Sequence, residues 1–327
     1  MTKTRQEIKA YAKHAFASQR KPAILGMFLT FLPFVVLMIS IQVLNAPMYF
    51  SAFTGIYTIS LFGIWSVAYF FIWLLAMGVQ NFLFPVLNIN LCGLFVKVFY
   101  GQPVRFSEPY TDLRVNYGRK LGGYWWSYLW MMLWSLVAWP AVYAVFMAIF
   151  FIGIMQDSLF IANNIIDPSP LIISSLAAMS LVLVPVIIKG LAYCMQPYIL
   201  AAHPNVTATN ALKLSKRMTK GYRGKIFVMW LSFIGWHLLN VLTLGILGIF
   251  FVGPYMYTTM AGYFVELRNT AVASGTIHPA EFDGYVPQYH YPQYNDPQSY
   301  YPPQYHEQIT PHQPVTHDHS QDQYPPQ

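Results

Sequence analysis

Polar side chains able to do chemistry are rare in the long apolar stretches of this sequence, and they occur at two places. Gln80 and Asn81 stand together in one stretch, and His237 and Asn240 lie about one helical turn apart in another. A membrane histidine can bind a metal or relay a proton. More commonly such groups form hydrogen bonds between membrane helices. We therefore expect a packing role for His237 and Asn240, and the alternative is a polar cluster made of Gln80, Asn81, His237 and Asn240.

Acidic residues are almost excluded from the apolar stretches. No Asp or Glu lies between Ala23 and Phe99, and Glu266 stands at the end of a later stretch, beside Arg268. Transporters coupled to protons or cations generally rely on carboxylates inside the membrane. In the C-terminal region, the run 317–319 (His-Asp-His) lacks a closed set of metal ligands. The sequence therefore predicts no catalytic residue, no metal site, no cofactor and a protein that is not an enzyme.

The composition is that of an integral membrane protein. Of 327 residues, 56% are hydrophobic and 9% are charged, whereas about a quarter of the residues of soluble domains are charged. The net charge of +7 does not indicate nucleic-acid binding, because the basic residues form short clusters between apolar stretches. Cys92 and Cys194 both lie inside apolar stretches, which favours two buried thiols over a disulfide framework.

The clearest surface signal is a short basic segment after the fourth long apolar stretch. Its basic residues follow the spacing i, i+3, i+4 and i+7, so they share one side of a helix: Lys213, Lys216, Arg217 and Lys220. Small or apolar residues occupy the other side: Ala208, Ala211, Leu212, Ser215 and Met218. Such a helix suits the cytoplasmic surface of a membrane and its anionic lipids. Gly221 is placed where a helix C-terminus commonly has glycine.

Apolar length predicts about six membrane crossings. The first four are expected at Ala23–Leu44, Trp65–Leu87, Tyr124–Met155 and Leu171–Leu200, and the last two at Ile226–Leu267, with a turn at 244–248. Gly78 and Pro85 are the expected break points of the second crossing, and residues 88–97 are expected along the interface or against other helices. Before the first crossing, residues 4–7 have capping-box spacing, which predicts an amphipathic helix within residues 1–22.

The basic residues give these crossings an orientation. Six lie before the first crossing, four within 100–121 and six within 213–225, and none lies in a predicted outer loop. By the positive-inside rule, these segments face the cytoplasm. The sequence therefore predicts a multi-pass protein of the bacterial inner membrane with both termini cytoplasmic.

The composition changes completely near residue 274. Residues 285–327 are rich in Pro, Tyr, Gln and His and repeat short units such as Tyr301-Pro302-Pro303-Gln304-Tyr305. A segment of this kind cannot bury enough apolar surface to fold alone. We expect three parts: a cytoplasmic amphipathic segment at 1–22, a transmembrane helical domain at 23–270 and a disordered cytoplasmic tail at 271–327. An extended tail costs little entropy to dock, so a protein partner for it is an open alternative.

Several separated motifs resemble a bacterial family. They comprise residues 184–193 and 196–200, then 211–218 with Lys220-Gly221, and finally 231–236, 242–246 and Pro254-Tyr255-Met256. In this order they resemble the integral membrane proteins catalogued as domain-of-unknown-function 975. The family usually has glycine where this chain has Val186, and an acidic residue near the end of the fourth helix, where this chain has Ala202-His203-Pro204. The resemblance implies the fold and the membrane location, and it implies no activity.

The fold class expected is all-α, a polytopic transmembrane helical bundle. The function expected is that of a non-enzymatic organiser or regulator of envelope components, and the alternative is a carrier or channel for a small or amphipathic solute. The expected partners are the lipid bilayer with anionic lipids in its inner leaflet and a protein bound to the tail. No nucleic acid is expected, and a homo-oligomer stays open.

Overall fold

Helices make up the first half of the chain. The structure is a computed structural model that describes residues 3–54, 59–159, 184–243 and 245–284. Up to residue 159 the helices are α1 (Arg5–Ser18), α2 (Arg20–Thr54), α3 (Ile59–Gly78), α4 (Phe84–Phe99), α5 (Glu108–Thr111) and α6 (Tyr117–Leu159). The predicted capping box is present at the start of α1, where the Thr4 side chain accepts from the Glu7 amide and the Glu7 carboxylate accepts from the Thr4 amide.

Helices also make up most of the described residues after 183. They are α7 (184–193), α8 (Gln196–Ala202), α9 (Ala208–Thr219), α10 (Arg223–Leu231), α11 (Ile234–Leu242) and α12 (Gly253–Ala273), followed by a 3-10 turn at Pro279–Phe282. Gly245 has a φ of +87° and lies in the predicted turn between the last two crossings. Gly221, with a φ of +85°, ends the basic helix as predicted. The described residues contain no strand, so the all-α prediction is confirmed.

Four helical stretches of the described residues are long and apolar enough to cross a membrane. They are Arg20–Val43, Ser66–Phe99, Val184–Ala202 and Arg223–Leu242. Their large apolar side chains are widely exposed, as at Ile39, Phe71 and Leu242, which is what a lipid environment permits. Helix α6 covers the predicted third crossing but is not among the four. Residues 160–183, which contain the start of the predicted fourth crossing, lie outside the described residues.

The second apolar stretch is one long helical run with an irregular turn inside it. A π-helical turn at Val79–Leu83 separates α3 from α4, directly between the predicted break points Gly78 and Pro85. The run Ser66–Phe99 is about 51 Å long, well beyond the hydrocarbon thickness of about 30 Å. Its last part, α4, is buried by other helices. The flank at 88–97 therefore packs against protein, which is one of the two expected outcomes.

The core of the protein surrounds α12, which packs against α1 and α4. Most α12 residues from Thr258 to Asn269 are buried, including Glu266 and Arg268. The apolar face of α1 is buried as well, so this face contacts protein. Gly262 allows the close approach of α12 to its neighbours, since a Cβ atom there would lie 2.5 Å from Phe99 Cε2 and 2.9 Å from Ile8 Cγ2.

The packed chain continues beyond residue 270. Ile277 and Phe282 are fully buried, and the 3-10 turn between them has its own cap at His278. The folded part therefore reaches past the boundary that the change of composition suggests. The rest of the predicted tail, from residue 285 onward, lies outside the described residues.

Replacing Gly262 by alanine is expected to destabilise the protein. Phe99 and Ile8 are both buried, so neither can move away freely from the added methyl group. Overpacking of this kind costs about 1–3 kcal/mol, which exceeds the gain of about 1 kcal/mol from replacing a helical glycine. Thermal unfolding in detergent should show a lower midpoint. The matched control is Gly224→Ala, because nothing lies within 4 Å of a Cβ atom there; equal midpoints for the two variants would contradict the packing of α12.

Candidate functional site

A half-buried arginine, Arg119, holds the end of α8. Arg119 lies in the first turn of α6, and its guanidinium donates to the carbonyl oxygens of Leu200 (2.7 Å), Val206 (2.8 Å) and His203 (3.2 Å). Carbonyl groups at a helix C-terminus lack partners within the helix and carry partial negative charge. The guanidinium satisfies them and fixes α6 to α8. Sequence reasoning assigned Arg119 only to a positive loop, because nothing in its spacing distinguishes it from its basic neighbours.

His203 and Arg268 meet beside this cap. Arg268 Nη1 lies 3.1 Å from His203 Nε2, and Arg268 Nη2 donates to the Tyr100 hydroxyl over 2.6 Å. Burial, together with the guanidinium groups of Arg268 and Arg119, lowers the pKa of His203 to about 3. The imidazole is therefore neutral at physiological pH, and Nε2 accepts from Arg268. The 3.9 Å contact of His203 with Asp283 is consequently not a charged pair, because two cations oppose protonation.

A second cation is buried next to Arg119. Lys120 donates to Asn90 Oδ1 over 2.7 Å and to the Asp112 carbonyl over 3.2 Å. Asn90 in turn donates to the Pro109 carbonyl over 2.8 Å. Burial lowers the pKa of Lys120, while the charge of Asp112 opposes this change. These contacts fix residues 109–112 against α4 and α6, so Lys120 has a packing role within the protein.

The predicted basic helix forms, and its four basic residues have different surroundings. Arg217 pairs with Glu281 at 2.6 and 3.2 Å and donates to the Thr276 carbonyl; the hydrogen bond from Arg217 lowers the pKa of Glu281. Lys216 is half-buried over the rings of Trp130 and Tyr193. Lys213 and Lys220 are exposed. Arg217 is exposed too, so this helix presents three exposed cations, and of these Arg217 is paired with Glu281.

The apolar side of the basic helix contacts protein. Ala211, Leu212, Ser215 and Met218 are buried, and the Ser215 hydroxyl donates to the Ala192 carbonyl over 2.7 Å. The helix predicted to lie at the membrane surface is thus packed on α7 and α6 through its small and apolar side. A depression of about 510 Å³ beside it is lined by Asn205, Lys213, Arg217, Glu281 and others.

A large cavity lies between five helical regions of the described residues. Its volume is about 980 Å³, and its walls come from α4, α6, residues 186–198, the α10–α11 region and α12. Ile187, Trp230 and Ile234 line it and are also exposed, so the cavity opens on the side of the bundle. None of its described lining residues is Asp, Glu, Lys or Arg. The cavity is therefore an uncharged space within the apolar part of the protein.

A few polar groups break the apolar lining of this cavity. Asn88 donates to the Tyr257 hydroxyl over 3.0 Å, and the Cys92 thiol lies 3.8 Å from Asn88 Oδ1. The Tyr198 hydroxyl donates to the Tyr257 carbonyl over 3.4 Å. Cys92 and Cys194 both line the cavity and are free thiols, so the expectation of unpaired cysteines is confirmed.

The four residues of the predicted polar cluster have separate surroundings. Asn81 donates to the Met77 carbonyl of its own helix over 2.8 Å. Asn240 accepts from the Gly248 amide over 2.6 Å and thereby stabilises the turn before α12. Gln80 lies in the π-helical turn. Of the four, His237 is the one found among the described residues that line the large cavity. Sequence reasoning missed most of the cavity because its walls come from five separated segments without a shared motif.

Residues 1–271 are similar to a known protein family. The model of the family described as "Protein of unknown function (DUF975)" matches residues 1–271. The comparisons with curated proteins and with solved structures gave no match. The family match covers the four described stretches that are long and apolar enough to cross a membrane, and it ends near the end of α12. The chain therefore belongs to the DUF975 family of proteins of unknown function.

Proposed function

We propose that this membrane protein binds an amphipathic, lipid-like solute in the cavity between α4, α6, α7, α10 and α12, and that it acts as a carrier without enzymatic activity. The observation that supports this proposal is the cavity itself. Its volume of about 980 Å³ lies within the range of ligand sites, which are commonly about 300–1,000 Å³, mostly apolar and supplied with a few polar groups.

The position of the cavity supports a solute that arrives from the bilayer. Ile187, Trp230 and Ile234 belong both to its lining and to the exposed apolar surface. A molecule with a hydrocarbon chain could therefore enter sideways from lipid and keep its apolar part away from water. This arrangement favours the amphipathic solute within the carrier hypothesis over a small polar one.

We place the protein in the bacterial inner membrane with six crossings and both termini in the cytoplasm. Arg119, His203 and Arg268 bring the ends of three helices together, and the basic helix lies against the same part of the molecule. A concentration of positive charge at one end of a bundle is the pattern of a cytoplasmic face. Lys213 and Lys220 are the exposed cations that would contact anionic lipids of the inner leaflet.

Filling the cavity is expected to reduce solute binding. Gly190 lines the cavity, and the nearest atom to a Cβ there is Met131 Cε at 3.8 Å, so Gly190→Phe places a ring in open space. Losing room for two methylene groups costs about 1.6 kcal/mol, which is roughly a tenfold loss of affinity. The measurement is photolabelling of the reconstituted protein by an amphipathic, long-chain probe, with labelled peptides quantified by mass spectrometry.

The control for this experiment is Gly122→Phe. Gly122 lies on α6, is exposed, is not among the described lining residues, and has nothing within 4 Å of an added Cβ atom. Labelling of the cavity peptides should be unchanged in this variant. Undiminished labelling in Gly190→Phe, or labelling confined to the outer surfaces of the helices, would refute the proposed site.

An organiser or regulator of envelope components is the second candidate. One observation favours it: the Arg217–Glu281 pair fixes residues 276–281 against α9, so the Pro/Tyr/Gln-rich segment begins beside an exposed basic surface. A contact region placed there would meet partners at the membrane surface. Crosslinked pull-downs should recover partners with the full-length protein and lose them when residues 285–327 are deleted. Equal recovery from both forms would count against a role for this segment.

A further inference from the structure

We infer that the solute bound in the large cavity is an uncharged amphiphile with a hydrogen-bonding group, such as a long-chain alcohol, and that Asn88 with Tyr257 recognises this group. The inference rests on the proposed function and narrows it to a class of ligand. It starts from the polar groups of the cavity and from the scarcity of charged side chains in its described lining.

Asn88 has hydrogen-bonding capacity left over. A primary amide offers two N–H donors and an oxygen with two acceptor positions. One donor is used by the Tyr257 hydroxyl at 3.0 Å, and the oxygen has a weak thiol donor, Cys92, at 3.8 Å. Asn88 is only half-buried and lines the cavity. The amide can therefore bond a hydroxyl that enters the cavity without giving up its contact with Tyr257.

Three other hydroxyl or thiol groups of the lining bond to backbone carbonyls. The Ser127 hydroxyl donates to the Tyr124 carbonyl over 2.8 Å, the Cys194 thiol contacts the Leu191 carbonyl, and the Tyr198 hydroxyl donates to the Tyr257 carbonyl. The first two contacts are local in the chain, and the third joins α8 to α12. Asn88 and Tyr257 are thus the pair in this part of the lining whose side chains bond to each other across two helices and face a shared space.

The lining around Asn88 selects against a charged ligand group. Transferring an ion into a mostly apolar cavity is costly unless a countercharge is present. The described lining has no Asp or Glu to pair with an amine, and apart from His237 it has no basic side chain to pair with a carboxylate. A neutral hydroxyl needs only the amide.

The remaining lining suits a hydrocarbon chain. Met131, Ile187, Leu191, Trp230, Ile234 and Met260 supply flexible or flat apolar surface around the polar pair. Methionine side chains adapt to irregular apolar shapes, and the exposed Ile234 and Trp230 lead to the lipid. The polar group of the ligand would lie at Asn88, and its chain would extend toward the opening.

The test compares three photoactivatable probes of equal chain length: a long-chain alcohol, the corresponding carboxylic acid and the corresponding hydrocarbon. The full-length protein is reconstituted in phosphatidylcholine vesicles, and labelling of the cavity peptides is quantified at equal probe content in the membrane. The alcohol is expected to label about fivefold more than the hydrocarbon, since one neutral hydrogen bond contributes about 1 kcal/mol. The carboxylic acid, measured where it is ionised, is expected to label less than the alcohol.

The variants Asn88→Leu and Asn88→Ala connect this preference to one side chain. Both should bring labelling by the alcohol down to the level of the hydrocarbon and leave labelling by the hydrocarbon itself unchanged. The control is Ser135→Ala, because the Ser135 hydroxyl bonds to the Met132 carbonyl of its own helix and is not among the described lining residues. This control should keep the preference for the alcohol.

The labelling results distinguish a wrong class of ligand from a wrong solute site. Labelling of the cavity by all three probes to the same extent, or stronger labelling by the acid, would overturn the inference and leave a solute site in place. Absence of labelling in the cavity by any probe would overturn both. If neither Asn88 variant folds, the order of the three probes on the unaltered protein still decides for or against an uncharged ligand.

Discussion

The arrangement of the helices depends on the contacts of two guanidinium groups, that of half-buried Arg119 and that of buried Arg268. Arg119 satisfies three carbonyl oxygens at and after the end of α8, and Arg268 joins the end of α12 to His203 and Tyr100. Charge buried without partners would be very costly, so these helix ends must converge where each guanidinium finds acceptors. The same contacts set the positions of α6, α8 and α12, which supply walls of the large cavity. The polar contacts at the helix ends thus also determine where the walls of the apolar cavity lie.

The helices of this protein have two different environments, one of protein and one of lipid. Around α12 and α4 the protein buries its own apolar and polar side chains, as at Phe95, Glu266 and Asn269. On α2, α3, α6 and α11 it exposes large apolar side chains, which only a bilayer can cover without a heavy cost in free energy. The cavity lies where these environments meet. This position explains why its lining is uncharged, and it gives a lipid-like solute a route that avoids water.

Much of the helical architecture could be predicted from local signals in the sequence. The capping box at Thr4, the turn at Gly245 and the stop at Gly221 depend on residues close together in the chain, and all three occur as expected. The buried side of α9 could also be predicted from periodicity, but periodicity cannot tell whether protein or lipid covers it. The cavity and the cap made by Arg119 depend on contacts between distant segments. For that reason no local signal in the sequence distinguishes Asn88, and the grouping of Gln80, Asn81, His237 and Asn240 rests on polarity alone.

The most direct test of this account is which side of the membrane each end of the bundle faces. Val115 is exposed in the loop beside the Arg119 cap, and Ile246 is exposed in the turn between α11 and α12. Val115→Cys and Ile246→Cys would be treated in whole cells with a membrane-impermeant maleimide, and the unaltered protein reports any labelling of Cys92 and Cys194. The account predicts labelling at 246 in intact cells and labelling at 115 only after the membrane is opened. Labelling of both positions from the same side would contradict it.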